Sequence, residues 1–531
     1  MKVVILGGAG VFGSRLAELL VRDGHDVWIA GRNLSRARAV AARLGAEAIV
    51  LHRSPDLSPL DGLGVEVLVD AAGPFRVEEG FSVAEACIAA GIHYLDLSDD
   101  PEFCSGISRL NDDAVARGVC VLSGMSSTPA LTSAAAAYLA EPMDAVDAIE
   151  SAILPGNRAP RGRAVFESIL DRVGRPFESR IDGAGVTLRG WSRPKGYRLP
   201  GGIRREGWMV PVPDQVLFPG FFKARSVTFR AGLELSVMNR FLAVLSRLGP
   251  LRLPRWVFDG LMVVAKALAP FGTDRGGMSV TVTGRKEDAF ITREFGLLAE
   301  AGEGPFIPAV PIRAALRAPG RLPPVAGPAL AVHPLDDYLD AMSDLQVRTE
   351  VTERAPVSLI PSVLGKDIDR IPEVVAESHS VPAPRLFSGR ATVTRGSGAV
   401  SRLIAAVVGF PPASEDVAVT VMKLPGATGE TWIRTFGDRS FRSHLSRRND
   451  HLSERFGPLT FDIPLTATEE GLDWPVSGGQ LYGLVPLPGF LLPRSVASER
   501  VMEGTFRFDV ALYAPVTGGL IVRYQGWLAR V

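Results

Sequence analysis

The chain has 531 residues, of which 46% are hydrophobic and 22% charged, and its 58 basic and 58 acidic side chains cancel. This composition predicts a globular protein with several hydrophobic cores, and the absence of net charge argues against a nucleic-acid partner. The three cysteines have no C-x-x-C spacing and the seven histidines form no metal-binding motif, so we expect no disulfide framework, no metal site and a reducing, cytoplasmic compartment.

A glycine-rich turn follows the first predicted strand, Lys2–Leu6, and precedes an amphipathic helix. A pyrophosphate must come close to the backbone N–H groups at the start of such a helix, so a Cβ at Gly8 or Gly10 would block it, and Gly13 lets the helix lie close to the strand. This context indicates a dinucleotide-binding site, with a plain tight turn as the alternative. Because a strand begins at the second residue, we expect no signal peptide. The predicted phosphate-binding residues are Gly7, Gly8, Ala9, Gly10, Val11, Phe12 and Gly13.

The end of the second predicted strand, residues 26–30, indicates which dinucleotide is bound. An NAD enzyme usually places Asp or Glu there to hold the ribose 2′-hydroxyl. This chain has Ala30 and Gly31 at that place, followed by Arg32 and Asn33. A guanidinium can make a bidentate contact with phosphate, so we predict NADP(H), held by Gly31, Arg32 and Asn33. The alternative is that Arg32 only faces solvent at the start of the next helix.

Strands and helices alternate through the first 145 residues. The predicted strands at 48–51, 65–72, 93–97 and 119–122 are apolar almost throughout, which is typical of parallel strands covered by helices on both faces. We therefore predict an α/β fold that begins with a Rossmann-type, doubly wound parallel sheet over residues 1–145. Its ligand should lie at the carboxyl ends of the strands, near residues 72–75, 98–100 and 124–127.

Two blocks of this region resemble a known family. Residues 69–75 (VDAAGPF) and 80–98 (GFSVAEACIAAGIHYLDLS), with the glycine turn, look like the NADP-binding domain of the saccharopine dehydrogenase-like oxidoreductases. Residues 304–309 and 327–339 are similar to the later part of that family's chain. The resemblance implies that the glycine turn holds the pyrophosphate and Arg32 the 2′-phosphate. It also implies that four residues border the nicotinamide: Ala72, Gly73, Pro74 and Phe75.

The motif does not name the group that gives or takes the proton in hydride transfer. We expect a group that titrates near neutrality, or a hydroxyl supported by a charged neighbour, just beyond a strand end. Ser98, Asp99 and Ser126 meet that description and are the catalytic candidates. Helix capping is the alternative for Ser126, and Asp96, inside a strand, is expected to bind backbone or ribose groups.

An α+β middle domain is predicted over residues 146–342. A doubly charged amino acid such as saccharopine would need a cluster of fixed cations, for which Arg158, Arg161 and Arg163 are the candidates. The alternatives for these arginines are contact with the cofactor's phosphates and exposure to solvent. Aromatic residues of the same domain suit an acyl, isoprenoid or polyketide chain better, so we predict that saccharopine is not the substrate. These aromatic residues are Trp208, Phe218, Phe221 and Phe222.

Two short apolar segments in the middle domain, 241–245 and 256–264, are separated by a turn rich in proline and arginine. They predict two helices, neither long enough to span a bilayer. A buried pair of core helices is the favoured interpretation. The alternatives are a wall of an apolar substrate pocket and a contact with a membrane surface.

The chain changes character after about residue 345. A proline-rich linker is predicted over 343–384, and a mainly antiparallel β domain over 385–531. Its predicted strands lie near 389–395, 417–421, 430–436, 505–510 and 520–528, with a helix at 399–408. This part resembles a bacterial domain of unknown function. Glu430, Trp432, Arg434 and Phe436 share one face of a strand, which indicates a pocket, with ordinary packing beside an ion pair as the alternative.

Two functions are consistent with these patterns. The first is an NADP(H)-dependent oxidoreductase that transfers hydride to or from a hydrophobic carbonyl, imine or enoyl substrate. The second is a non-catalytic NADP-binding protein that docks to lipid or to a protein partner. A homodimer and a membrane-surface contact stay open, and no transmembrane span is expected.

Overall fold

The computed structural model describes residues 1–160, 163–250, 254–287, 289–318, 320, 322–426 and 428–531. These residues divide into two compact units, one formed by 1–180 and 185–354 and the other by 181–184 and 355–531. The sheets are a parallel N-terminal sheet, a mixed middle sheet and an antiparallel C-terminal sheet. The predicted fold class is confirmed.

The N-terminal sheet is wholly parallel and has the strand order β15-β6-β5-β4-β1-β2-β3. Its central strands are buried on both faces, as their continuous apolar sequences predict. The seventh strand, β15 (Ala326–Pro328), comes from some 200 residues further along the chain and was not predicted. The other elements are β1 (Lys2–Leu6), α1 (Val11–Arg22), β2 (Asp26–Gly31), α2 (Leu34–Leu44), β3 (Glu47–Val50), β4 (Val67–Asp70), α3 (Ser82–Ala90), β5 (His93–Asp96), α4 (Pro101–Gly106), α5 (Asn111–Arg117), β6 (Val121–Ser123) and α6 (Thr132–Ala140).

The middle sheet has the order β10-β11-β12-β7-β13-β14-β16, with β8 and β9 attached beside β12. Only β7 and β12 among its described pairs run parallel. Helix α8 packs against α4 and against the turn at residues 127–131, so the middle domain covers the carboxyl edge of the parallel sheet. The elements are β7 (Ala145–Leu154), α7 (Arg163–Arg172), β8 (Pro176–Ile181), β9 (Ala184–Arg189), β10 (Ser192–Leu199), β11 (Ile203–Met209), α8 (Pro213–Phe221), β12 (Ser226–Ala231), α9 (Ser236–Leu245), α10 (Arg255–Leu268), β13 (Gly276–Lys286), β14 (Ala289–Ala299), α11 (Val310–Arg317), α12 (Leu335–Ala341) and β16 (Val347–Arg354).

In the described part of the chain, the C-terminal sheet has thirteen antiparallel strands in the order β23-β24-β27-β28-β29-β17-β18-β19-β20-β21-β22-β25-β26. All five predicted strands and the predicted helix are present. The elements are α13 (Leu359–Leu364), α14 (Glu373–His379), β17 (Arg385–Arg395), α15 (Ala399–Val408), β18 (Ser414–Pro425), β19 (Glu430–Phe436), β20 (Arg439–Arg448), β21 (His451–Phe456), β22 (Leu459–Ile463), β23 (Thr466–Thr468), β24 (Gly471–Asp473), β25 (Gly478–Leu481), β26 (Val485–Pro486), β27 (Arg494–Met502), β28 (Thr505–Tyr513) and β29 (Leu520–Arg530).

The segment predicted as a linker, residues 343–384, holds regular structure. Strand β16 pairs with β14 at the edge of the middle sheet, and α13 and α14 pack on the C-terminal sheet. Pro372 stands directly before α14, and Pro361 lies in the first turn of α13, where a missing N–H costs no intrahelical hydrogen bond. Pro382 and Pro384 lie between α14 and β17. These prolines therefore belong to folded structure.

The favoured interpretation of α9 and α10 as core helices is wrong. The exposed side of a core helix pair would carry polar side chains. Here, large apolar side chains are exposed on both helices and at the turns that follow them. Only Asn239, Leu242 and Phe258 are buried in the described part of the two helices. The exposed apolar residues are Val237, Phe241, Val244, Leu248, Trp256, Val263, Val264 and Phe271.

Two of the aromatic residues predicted to line a substrate pocket have packing roles. Trp208 belongs to the core beneath α9 and α10, and Phe218 to the core between the parallel and middle sheets. Of the arginine candidates, Arg158 donates to the Pro270 carbonyl, while Arg161 and the Arg163 side chain lie outside the described residues. Within the described part of the chain, no helix is long and apolar enough to cross a bilayer.

Candidate functional site

The glycine turn packs tightly against the sheet. Gly7 has a φ of 76°, and a Cβ there would lie 2.8 Å from the Ala71 backbone. A Cβ on Gly8 would lie 2.8 Å from the Ile5 carbonyl oxygen, and one on Gly13 2.5 Å from the Gly7 oxygen. Gly8 and Gly13 are thus required by the packing of the turn itself, in addition to the predicted access for phosphate.

The N-terminus of α1 has the properties of an anion site. Gly10, at the cap position, offers no side-chain acceptor, and the first turn has no acidic residue. The backbone N–H groups of the first turn therefore lack partners within the helix, and the helix dipole makes this end positive. A Cβ on Gly10 would approach only the Gly7 oxygen, at 3.0 Å, so the space in front of the helix is open. These features fit a pyrophosphate.

Arg32 is exposed just beyond β2, and the structure places no ion-pair partner beside it among the described residues. A Cβ on Gly31 would meet nothing within 4 Å, so there is room at the strand end. Asn33 is the N-cap of α2, where its Oδ1 accepts from the Arg36 N–H at 3.0 Å. The arrangement leaves the Arg32 guanidinium free for a 2′-phosphate, with Asn33 shaping the turn that presents it.

Residues 72–75 leave the carboxyl end of β4 above a buried ion pair. Asp70 accepts from the Ala72 N–H at 2.9 Å and from Arg53 Nε at 2.8 Å. Burial raises the pKa of Asp70, and Arg53 beside it opposes that rise. Gly73 and Pro74 are exposed at the edge predicted to border the nicotinamide, whereas the Phe75 ring is buried under the Arg53 guanidinium. Of Phe75, only the backbone can line that edge.

Asp96 joins the loops that follow β5 and β6. Its Oδ1 accepts from the Ser98 N–H at 2.9 Å, from Ser123 Oγ at 2.9 Å and from the Gly124 N–H at 2.8 Å. Its Oδ2 has no hydrogen-bond partner among the described residues. Complete burial raises the pKa of Asp96 to about 7, although the three hydrogen bonds favour the charged form. The expected backbone-binding role of Asp96 is what the structure shows.

The three predicted catalytic side chains have different surroundings. Ser98 is fully buried, and its Oγ accepts from the Asp100 N–H at 3.2 Å. Asp99 forms an ion pair with Arg172 of α7, with 2.9 Å between Oδ2 and Nη2. Ser126 lies at the start of the turn at residues 127–131, which packs against α8. Ser98 and Asp99 are therefore engaged in local structural contacts.

A carboxyl group missed by the sequence analysis faces this same turn. Asp214, in the first turn of α8, accepts a hydrogen bond from Thr128 Oγ1. Its Oδ2 has no hydrogen-bond partner among the described residues, while the Thr132 and Ser151 hydroxyls nearby favour the charged form of the carboxyl group. Burial raises the pKa of Asp214 to about 6. In sequence, Val-Pro-Asp-Gln is an ordinary helix start, so only the packing of α8 on the parallel domain singles Asp214 out.

The described residues contain no cluster of three or more potential metal ligands. The three cysteines, 87, 104 and 120, are buried free thiols.

Comparison with known proteins identifies both ends of the chain. Residues 3–122 match the model of the saccharopine dehydrogenase NADP binding domain, and residues 371–528 match that of a domain of unknown function, DUF4166. A Mycobacterium tuberculosis protein named a trans-acting enoyl reductase, known from two strains, is 32% identical over 147 residues. That match covers 26% of this chain and 35% of the relative, so the chain spans about a third of the relative's length.

Solved structures are similar over a larger part of the chain. Apo saccharopine dehydrogenase (L-Glu forming) from Saccharomyces cerevisiae has 13% identity and a TM-score of 0.49, covering 66% of this chain and 99% of that one. UDP-N-acetylglucosamine 3-dehydrogenase from Acidithiobacillus ferrooxidans has 15% identity and a TM-score of 0.31, covering 65% and 96%. By the two family matches, this chain joins an NADP-binding domain of the saccharopine dehydrogenase type at residues 3–122 to a DUF4166 domain at residues 371–528.

Proposed function

We propose that the protein is an NADP(H)-dependent oxidoreductase that transfers a hydride to or from a hydrophobic carbonyl, imine or enoyl compound other than saccharopine. The observation that carries the proposal is the NADP-binding domain, with an uncapped helix N-terminus beside Arg32. The name of the mycobacterial relative supports the enoyl class. NADPH, when bound, supplies the hydride to the substrate carbon.

We assign to Asp214 the role of supplying the proton that the substrate takes up with the hydride, by way of the Thr128 hydroxyl. The Asp214 carboxyl group is buried and accepts a hydrogen bond from the Thr128 hydroxyl. Its pKa is raised to about 6, and an efficient general acid has a pKa near the working pH. In the reduction, Thr128 gives its proton to the substrate and takes one from Asp214, so that hydride and proton together complete the reduced product. Ser126, two residues away, stays the candidate for holding the substrate oxygen, and Ser98 and Asp99 keep only supporting roles.

A panel of long-chain enoyl, carbonyl and imine compounds with NADPH tests the proposal. We expect NADPH oxidation with at least one class, and a rate that falls as pH rises above about 6 because Asp214 must be protonated. Asp214→Asn should lower kcat by about 100-fold and remove that pH dependence while NADPH still binds. Asp99→Asn is the matched control and should have a much smaller effect.

NADPH binding without hydride exchange on the whole panel would contradict the oxidoreductase proposal. It would favour the non-catalytic NADP-binding protein.

We further propose that α9 and α10 rest on an anionic membrane surface. The exposed fractions of Trp256 (77%), Leu248 (79%) and Val237 (67%) are far above those of a core helix pair. Arg240, Arg247, Arg255 and Lys266 are exposed on the same two helices or the turn between them. Apolar side chains with basic residues around them suit the boundary between headgroups and acyl chains.

Flotation with vesicles that contain phosphatidylglycerol tests this surface. The wild-type chain should float with the vesicles. Trp256→Glu should stay in solution, because placing the Glu carboxylate at the boundary between headgroups and acyl chains costs more free energy than leaving the helix in water. Val115→Glu, at an exposed apolar residue of α5, is the matched control and should still float. Equal flotation of both variants would contradict the membrane contact.

A further inference from the structure

The C-terminal domain contains a cavity of about 340 Å³. Residues of α15 and of strands β17–β19, β21, β22 and β27–β29 line it, and most of the lining is aliphatic or aromatic. Protein cores rarely leave voids larger than a water molecule, and small-molecule sites begin at about 300 Å³. The cavity therefore has the size and lining of a binding site for an apolar molecule. The prediction that one face of β19 lines a pocket is confirmed for Trp432, Arg434 and Phe436. It is wrong for Glu430, which is not among the lining residues and accepts hydrogen bonds from the Leu359 N–H and from Trp432 Nε1.

One end of the cavity is polar and centres on Lys423. Its Nζ donates to the Ser378 carbonyl at 2.6 Å, lies 3.4 Å from His379 Nδ1 and stands 4.1 Å from the centre of the Trp432 ring. His379 Nε2 in turn lies 2.6 Å from Glu499 Oε2. An ammonium has three N–H donors, and the described contacts account for two. Lys423 is therefore able to donate another hydrogen bond into the cavity that it lines.

The charged side chains that line the cavity comprise two cations and two carboxylates. Arg434 lies 3.2 Å from Glu454, between Nη2 and Oε1, and Lys423 is matched by Glu499 through His379. All four charged side chains line the cavity and are nearly buried. A ligand with a full negative charge would enter a largely apolar space whose cations are already paired, at a high desolvation cost. An uncharged acceptor oxygen avoids that cost and still uses the free donor.

We propose that this cavity binds an uncharged apolar molecule whose carbonyl or ester oxygen accepts a hydrogen bond from Lys423. The alkyl part packs among the aromatic and aliphatic side chains, and the oxygen lies at the end where Trp432 and Trp474 are found. Nothing in this assignment depends on hydride transfer. The domain would then hold or present a lipid-like ketone, aldehyde or ester independently of any reaction in the N-terminal unit.

Titration calorimetry on the delipidated full-length protein tests the proposal, with 2-undecanone as the uncharged probe and decanoate as the charged one. We expect micromolar binding of the ketone and binding of decanoate at least tenfold weaker. Lys423→Met, which removes the donor and shortens the side chain by one heavy atom, should weaken ketone binding by about tenfold. Decanoate binding as tightly as the ketone, or an unchanged Lys423→Met, would overturn the proposal.

Adjacent residues of β27 provide a matched pair of variants. Ala497 lines the cavity, whereas Val496 points to the other face and is 55% exposed. Ala497→Phe should abolish ketone binding by filling the cavity, and Val496→Phe should leave it unchanged. Val510→Phe, on the paired strand β28, blocks the same space and replaces Ala497→Phe if that variant does not fold. Retained binding in a folded cavity-filling variant shows that the ketone binds elsewhere and overturns the assignment, whether or not the NADPH assay succeeds.

Discussion

The buried carboxyl group of Asp96 should make the stability of the parallel sheet depend on pH. Asp96 is fully buried, and no cation lies among its hydrogen-bond partners, which are two N–H groups and a hydroxyl. Asp96→Asn keeps an Oδ1 acceptor for all three donors and removes the titration. The substitution thus isolates the cost of holding an ionised carboxylate in the interior.

The pKa of this group rises on folding from 3.8 to about 7. Because the folded state holds the proton more tightly, the stability contributed by protonation is complete below about pH 3.8 and is lost progressively as pH rises through about 7. Each tenfold difference in proton affinity corresponds to about 1.4 kcal/mol. Between about pH 5 and about pH 8, the free energy of unfolding of the wild type should fall by on the order of 3 kcal/mol relative to that of Asp96→Asn.

Urea denaturation can be followed by hydrogen exchange in peptides from β4 to β6, so that unfolding of this sheet is measured by itself. We expect the free-energy difference between wild type and Asp96→Asn to shift in favour of the variant as pH rises. Asp112→Asn, at an exposed position in α5, is the control and should show no such shift. A constant difference between wild type and Asp96→Asn from pH 5 to 8 would refute the reasoning.

Three further predictions concern the cofactor site and the packing around it. Arg32→Ala should weaken NADPH binding about tenfold more than NADH binding in fluorescence titrations, because it removes a charge-assisted contact with the 2′-phosphate; equal loss for both nucleotides would refute the assignment. Gly13→Val should destabilise the domain by more than about 3 kcal/mol in urea, since its Cβ would lie 2.5 Å from the Gly7 oxygen, whereas Gly31→Ala should be tolerated. Arg313→Met should cost about 3 kcal/mol near neutral pH, because Arg313 binds both Asp23 and Asp344 from a buried position. Arg313 and Arg317 lower the pKa of Asp23 although burial opposes this, so the cost should shrink as acid protonates that carboxylate in the wild type; a cost independent of pH would count against the ion pair.

The sequence by itself determined the local elements of both ends of the chain. Strands such as β1 and β19 were predicted with their observed bounds. Continuous apolar runs or strict alternation within five to seven residues is enough to specify such strands. The glycine turn was also predictable, because its steric demands involve residues next to it in the chain and the adjoining strand end.

Only the tertiary structure decided which distant residues meet. Strand β15 completes the parallel sheet from residue 326, and Asp214 meets Thr128 across 86 residues. Lys423, His379 and Glu499 come from three separate elements. The spacing of apolar residues along the sequence does not predict such contacts, since they depend on how the sheets and helices pack against one another.

The apolar helices α9 and α10 also show that the sequence alone does not decide burial. Their hydrophobicity was evident in the sequence, but whether it is buried depends on what packs against it, and in this fold no described element covers most of that face. Local chemistry therefore specified the NADP-binding turn and the strands, whereas long-range packing decided the contact between Asp214 and Thr128, the C-terminal cavity and the exposed apolar surface.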